Sequence, residues 1–311
     1  MSKIPKISVC IPAFNSANYI VQAVESLWAQ TYKDFEIIIV DDCSGDQTLA
    51  LVRNLQKMSS QCLRVYSNDH NIGLSKNSNR CIEHARGIYI KFLHADDLLL
   101  PMCLERMLAA LEKHENVELV CSNRLTIDHA DQALLKYKFW SDDKILSGTK
   151  AIQLCLFGKN YIGEPTAVMF RNKRGTSLFS VDISQLMDMD LWFRLLEQGD
   201  LFSIKDPLCV IRRHSQQLSK KNLYSKIPIE ERMQLLSRFA LKAHGASNLI
   251  RLKSLFHMSY RVYLYRNYLS EERKQEILSL WGNRFLYGLM FIWGPIEKYL
   301  IKSPKYNIDW D

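Results

Sequence analysis

Two adjacent carboxylates, Asp96 and Asp97, close an apolar run, Ile88-Tyr-Ile-Lys-Phe-Leu93, that reads as a β-strand. Side chains leaving the carboxyl end of a parallel strand face a ligand crevice, and like charges held side by side repel. A divalent cation relieves that repulsion, and hard carboxylate oxygens suit Mg2+ or Mn2+ bridging to a substrate phosphate. The pair could equally cap a helix beginning near Pro101, so on the residues alone both readings stand. A second pair, Asp41-Asp42, follows the apolar run Phe35–Val40. Asp188 and Asp190 open an amphipathic stretch from Met187 to Gln198, where the positive end of a helix dipole favours negative charge.

These groups need elements to hold them. Ile7–Ile11 reads as a buried strand ended by Pro12, and apolar positions recur at helical spacing from Asn18 to Gln30. The alternation continues with the strand Phe35–Val40, a helix over Thr48–Met58, a strand at Leu63–Tyr66, a helix around Lys76–Arg86, the strand at 88–93, a helix at 102–113 and the strand Val117–Ser122. Strands alternating with helices predict a doubly wound α/β domain with a mostly parallel sheet and flanking helices. Ligands bind beyond the carboxyl ends of such strands, so the acidic clusters after the second and fourth strands should share one crevice. Between 124 and 160 the pattern loosens, predicting a small hairpin excursion before a helix at 149–157. Gly163-Glu-Pro-Thr then feeds a short strand.

At 47% hydrophobic and 24% charged, the 311 residues carry enough apolar side chain for one large domain plus an appendage. The eight cysteines are dispersed without the Cys-x-x-Cys spacing of a zinc site, which predicts reduced thiols and a cytoplasmic protein. The N-terminus runs almost at once into the first strand and lacks a long apolar leader. Charge is unevenly placed: residues 1–219 hold 25 Lys and Arg against 25 Asp and Glu, and residues 220–311 hold 16 against 8, the whole of the net +8. Such a basic, aromatic-rich and helical last third fits a polyanionic partner, an anionic membrane surface in particular, or a second copy of the chain. Its apolar core, Phe285–Trp293, is far short of the roughly 20 residues that span a bilayer. The predicted domains are therefore 1–222 and 223–311.

Motifs then fall in a fixed order: Pro12-Ala-Phe-Asn15, Val40-Asp-Asp-Cys-Ser44, Asn71-Ile-Gly73 through Asn79 to Ala85-Arg-Gly87, His94-Ala-Asp-Asp97, Gly163-Glu-Pro165, Asp188-Met-Asp190-Leu-Trp192 and Arg212-Arg-His214. This order resembles the inverting family 2 glycosyltransferases of the GT-A, Rossmann-like fold, over about residues 5–219. The resemblance implies transfer of a sugar from a nucleoside diphosphate, UDP above all, to a hydroxyl on a glycan or lipid-linked acceptor. It also implies a bound Mn2+ or Mg2+. Pro12, Ala13, Phe14, Asn15 and Asp42 would hold the base, with Asp41, Asn71, Gly73 and Asn79 completing the nucleotide site. Asp96 and Asp97 would share the ribose and the metal, His214 would meet the diphosphate or metal, and Asp188 would be the general base. Asp190, Lys76, Glu164 and His94 are secondary candidates, Asp190 having an alternative role in capping the helix N-terminus or in a hydrogen bond to Arg194 four residues on.

The chain departs from the family where His94 replaces a usual Asp, where Met187 replaces a usual Glu, and where Ser78 replaces a common Arg, leaving Lys76 or Arg80 for phosphate or base contacts. Loss of the Glu predicts a pKa for Asp188 nearer normal. The implied setting is synthesis of lipopolysaccharide, capsule or another surface polysaccharide, with the protein peripheral on the inner face of the cytoplasmic membrane. Two other classes fit parts of the pattern: a metal-dependent nucleotide-sugar phosphohydrolase, and a non-catalytic module binding glycan or nucleic acid. Nucleic acid is not the partner expected of the leading reading.

Overall fold

The computed structural model describes residues 4–137, 139–157, 159–173, 178–214 and 227–239. The chain divides into two compact units, Met1–Gln217 and Leu218–Asp311. In the first, the strands are β1 (Ile7–Ala13), β2 (Phe35–Asp41), β3 (Cys62–Ser67), β4 (Tyr89–Phe92), β5 (Leu98–Leu99), β6 (Val117–Ile127), β7 (Ala133–Tyr137), β8 (Lys144–Leu146), β9 (Val168–Arg171) and β10 (Asp200–Arg212). The helices are α1 (Ile20–Trp28), α2 (Thr48–Met58), α3 (Leu74–His84), α4 (Cys103–Lys113), α5 (Gly148–Phe157) and α6 (Met187–Leu196), with a 3-10 turn at Pro165–Ala167. In the second unit, α7 (Ile227–Phe239) is described. The predicted helices beyond it lie outside the described residues. Among the described residues no helix is long and apolar enough to cross a membrane.

One sheet runs in the order β3-β2-β1-β4-β9-β6-β10-β5, with β7 paired to β6 and β8 to β10. β3, β2, β1 and β4 are mutually parallel, as the alternation predicts, and β10 is parallel to β6. β1 and β2 are buried along their whole length, because helices cover both faces of this half. The other half is less regular. β9 is inserted antiparallel between β4 and β6, and β7 folds back on β6 as the hairpin predicted in the loosened stretch.

β10 has no counterpart in the sequence-based reading. Its apolar run is interrupted by Lys205-Asp206-Pro207, and the pairing with β6 slips on both sides of Pro207. A bulge tolerates a proline that a regular ladder would not. This strand carries Arg212 at its end and thereby brings the Arg212-Arg-His214 motif to the tip of β4.

β1 and β4 approach closely at Gly87, whose N–H donates to Ser8 Oγ at 2.8 Å. A Cβ there would lie 2.5 Å from Ser8 N and 2.7 Å from the carbonyl carbon of Ile7. Gly87→Ala should therefore force the strands apart and cost about 1–3 kcal/mol, read as a fall of several degrees in Tm. An unchanged Tm would contradict this packing.

Candidate active site

The turn after β4 treats its two carboxylates differently. Asp97 is buried, accepts from Thr166 Oγ1 at 2.6 Å through Oδ2, and accepts from the Arg212 backbone N–H at 2.9 Å through Oδ1. Burial first, and then the neighbouring Asp96 charge, push its pKa well above the usual carboxylate range. Asp97 thus fastens the β4 turn to the 3-10 turn and to the end of β10. Lys91, wholly buried on β4, grips the same 3-10 turn by donating to the carbonyls of Thr166 and Val168.

Asp96 remains partly open, and its Oδ2 lies 2.9 Å from His214 Nε2. His94 is anchored through its backbone N–H on Thr166 Oγ1 at 3.0 Å, and its buried Nε2 has no hydrogen-bond partner. Burial lowers the His94 pKa, keeping the ring neutral with a lone pair to offer. His94, Asp96 and Asp97 each present a ligand atom within 4.8 Å of the others. A neutral imidazole with an orphaned nitrogen beside an accessible carboxylate is a donor set that fits a divalent cation.

The loops after β1 and β2 are laced together. Asn15 donates its N–H to Ser44 Oγ at 2.9 Å and accepts from the Gly45 N–H at 2.9 Å, while Ser44 donates through both N–H and Oγ to Asp41. Asn15 and Cys43 adopt left-handed φ values of 47° and 58° to make these turns. Pro12 and Ala13 are buried within β1, whereas Phe14 is exposed at the loop.

Asp42 is buried, its Oδ1 accepting from Asn68 Nδ2 at 2.7 Å and from the Ile72 N–H at 2.9 Å, its Oδ2 from the Gly73 N–H at 2.9 Å. Gly73, with φ of 85°, supplies a backbone conformation that other residues rarely adopt. Arg80 reaches the same network through Asn68 Oδ1 at 2.7 Å. Asn71 and Lys76 are exposed beside it. Asn79 faces elsewhere: its amide makes a two-way bond to the backbone of Phe179, at 2.8 and 2.9 Å, which fastens α3 to that segment.

On the third side, Asp188 sits half-buried in the first turn of α6 and accepts from the Met189 N–H at 2.7 Å and, longer, from Asn160 Nδ2 at 3.4 Å. Burial raises its pKa to about 7, with the Glu164 charge adding to the effect. The near-normal value predicted from Met187 is thus corrected: desolvation outweighs the missing neighbour. Asp190 is fully buried and pairs with Arg194 Nε at 2.9 Å, the geometry its i,i+4 spacing anticipates.

Glu164 joins the two halves. It lies 2.8 Å from Arg124 Nε and 2.8 Å from Arg213. Burial alone would raise its pKa, but the two guanidiniums hold it down to about 2. Gly163 precedes it with φ of 110°, its carbonyl accepting from the Trp192 indole at 3.1 Å, and a Cβ there would collide with Arg124. Thr166, Asn160 and Arg124 were not singled out by sequence. Each acts on a residue far away in the chain, and nothing local marks it.

The glycosyl transferase family 2 model matches residues 8–174. An uncharacterized Mycobacterium tuberculosis protein is 34% identical over 226 residues, 68% of this chain and 68% of that one. Escherichia coli chondroitin synthase is 28% identical over 259 residues, 81% of this chain and 36% of the synthase. Among solved structures, S. aureus TarS residues 1–349 in complex with UDP-GlcNAc superpose with a TM-score of 0.70 at 19% identity, over 88% of this chain and 79% of that one. At that identity the likeness speaks for the fold.

The raised pKa of Asp188 carries a stability consequence. Between the unfolded value near 4 and the folded value of about 7, the folded state holds a proton that the unfolded chain releases, so Asp188 lowers stability as pH rises through this window. Asp188→Asn removes the charge and keeps an acceptor for Met189. The variant should match the wild type at pH 4 and exceed it at pH 8 by at most about 4 kcal/mol, less what solvent screens at a half-buried group. Equal Tm values at pH 8 would contradict the buried setting.

Proposed function

We infer the reaction from the family to which the chain belongs, glycosyl transferase family 2. The protein is a glycosyltransferase, and we propose that it moves a sugar from a UDP-sugar to a hydroxyl of a glycan or lipid-linked acceptor, with inversion at the anomeric carbon. The observation that carries this reading is Asp188, an accessible carboxylate whose pKa of about 7 suits a general base at neutral pH. Asp188 takes the proton of the acceptor hydroxyl. The freed oxygen bonds to the anomeric carbon from the face opposite the diphosphate, and the electrons of the breaking carbon–oxygen bond leave with UDP. One displacement needs one base.

Around the donor, the Phe14–Asn15 and Asp41–Ser44 loops, with Asn71, Gly73 and Lys76, line the uridine crevice. Asp42, buried beneath that wall, sets its shape by accepting from the Ile72 and Gly73 N–H groups. Asn79 stabilises α3 behind it. Asp96 and His214, with His94 Nε2, would hold the cation, while Asp97 positions the turn. Imidazole and carboxylate together suit Mn2+ better than Mg2+. A bound cation would neutralise charge gathering on the departing diphosphate. Arg213, set beside His214 and oriented by Glu164, adds a permanent positive charge on the same side.

UDP is favoured as the carrier because the TarS structures hold UDP and UDP-GlcNAc. A polysaccharide acceptor is favoured because a chondroitin synthase is among the relatives. Residues 223–311, with the chain's excess of positive charge, fit attachment to an anionic membrane surface on the cytoplasmic side, where a lipid-linked lipopolysaccharide or capsule precursor would be met.

Two measurements test the assignment of the base. The kcat/KM for transfer should fall tenfold per pH unit below about 7, since the base must be ionised in the free enzyme. Asp188→Asn should lower kcat by about 10²–10⁴ while leaving UDP affinity by calorimetry unchanged. A variant with kcat within a few-fold of wild type would remove Asp188 from the reaction.

A further inference from the structure

Arg212 is almost wholly buried, yet its guanidinium reaches three separate parts of the molecule. Nε donates to the Asp96 carbonyl at 2.9 Å. Nη1 donates to the Asp128 carbonyl at 3.2 Å and to Asp131 Oδ1, and Nη2 donates to Gln22 Oε1 at 2.8 Å. The plane lies 4.8 Å over the Tyr19 ring, which in turn packs at 5.3 Å on the His214 imidazole. The backbone N–H of Arg212 holds Asp97. Asp96 is therefore gripped at its carbonyl by Arg212 and met at its carboxylate by His214, with Tyr19 wedged between the two gripping groups.

The far end of this brace lies on the surface. Asp131 stands at the tip between β6 and β7 in the left-handed region at φ of 63°, with its side chain 52% exposed. Asp128 shapes the tip, its Oδ1 accepting from the Ala130 and Gln132 N–H groups at 2.8 and 2.9 Å. Gln22, exposed on α1, donates to Asp131 Oδ2 at 3.3 Å. We propose that Asp131, acting through Arg212, is a positioning residue for the cation site at Asp96 and His214, so that the β6–β7 tip sets how tightly the divalent cation is held. The proposal rests on the cation site described above.

Two effects act in the same direction. Removing the Asp131 carboxylate frees one edge of a planar fork, so Arg212, left with Asp128 and Gln22, fixes the Asp96 carbonyl and the Tyr19 ring less firmly. It also removes one negative charge from the neighbourhood of a site that must accept a dication, and the loss of that charge opposes binding there. Outer hydrogen-bond partners of metal ligands commonly control affinity in this way.

The test is a titration of Mn2+ by electron paramagnetic resonance on the full chain with saturating UDP, comparing wild type, Asp131→Ala, Asp131→Asn and Asp96→Asn. Because Asp131 is a surface side chain, its variants should keep the wild-type fold, checked by Tm and by UDP affinity without metal. Asp131→Ala should raise the Mn2+ Kd by about tenfold, and Asp131→Asn by less, since its amide oxygen still accepts from Arg212. Wild-type Mn2+ affinity in Asp131→Ala, with affinity lost in Asp96→Asn, overturns the positioning role and leaves the cation site standing. Unchanged affinity in Asp96→Asn overturns the cation site itself. A matching loss of metal-free UDP affinity in Asp131→Ala marks general loosening and also overturns the proposal.

Discussion

Asp96 and Asp97 leave the end of β4 side by side, and two like charges that close need separate environments if each is to do something different. The fold provides them. Asp97 is turned inward, where a hydroxyl from the 3-10 turn and an N–H from the end of β10 each occupy one oxygen. Asp96 is turned outward to His214. The inward residue ties together β4, the segment before β9, and β10, which sequence separates by 69 and 115 positions. Loss of that tie would release His94, Asp96, Thr166 and Arg212 together, so the geometry of the crevice rests on a carboxylate that need not touch substrate.

The same logic of unequal environments runs through the other acidic groups. Glu164 and Asp188 are both partly buried, yet one is held down to about 2 and the other raised to about 7. The difference lies in partners. Glu164 sits between Arg124 and Arg213, whereas Asp188 has a backbone N–H and a distant amide. Glu164 also adds its own charge to the field that raises Asp188. A carboxylate kept ionised thereby orients two guanidiniums and adds to the field that raises Asp188.

Much of this was legible in the sequence, and the reason is local chemistry. Parallel strands buried on both faces must be continuously apolar, so β1, β2 and β4 announce themselves, and each delivers its loop to one edge. The spacing of Asp190 and Arg194 likewise foretells their pairing. What was hidden depends on distance. β10 is broken by Pro207, and no local pattern says that its last residue would meet Asp97. β9 enters antiparallel in the middle of the sheet, against the rhythm of the first half. The pKa of Asp188 follows burial by the folded chain, which the neighbouring Met187 could not indicate.

The proposed site puts the divalent cation on the carboxylate turned outward, Asp96, and not on the one turned inward, Asp97. Anomalous diffraction from crystals of the protein grown with UDP and Mn2+ addresses it most directly. The expected result is one Mn2+ peak beside the UDP phosphates, ligated by Asp96, His214 and His94, with Asp97 still bonded to Thr166 and Arg212. A peak ligated by Asp97 alone, or UDP bound in the crevice with no Mn2+ beside Asp96, would contradict it.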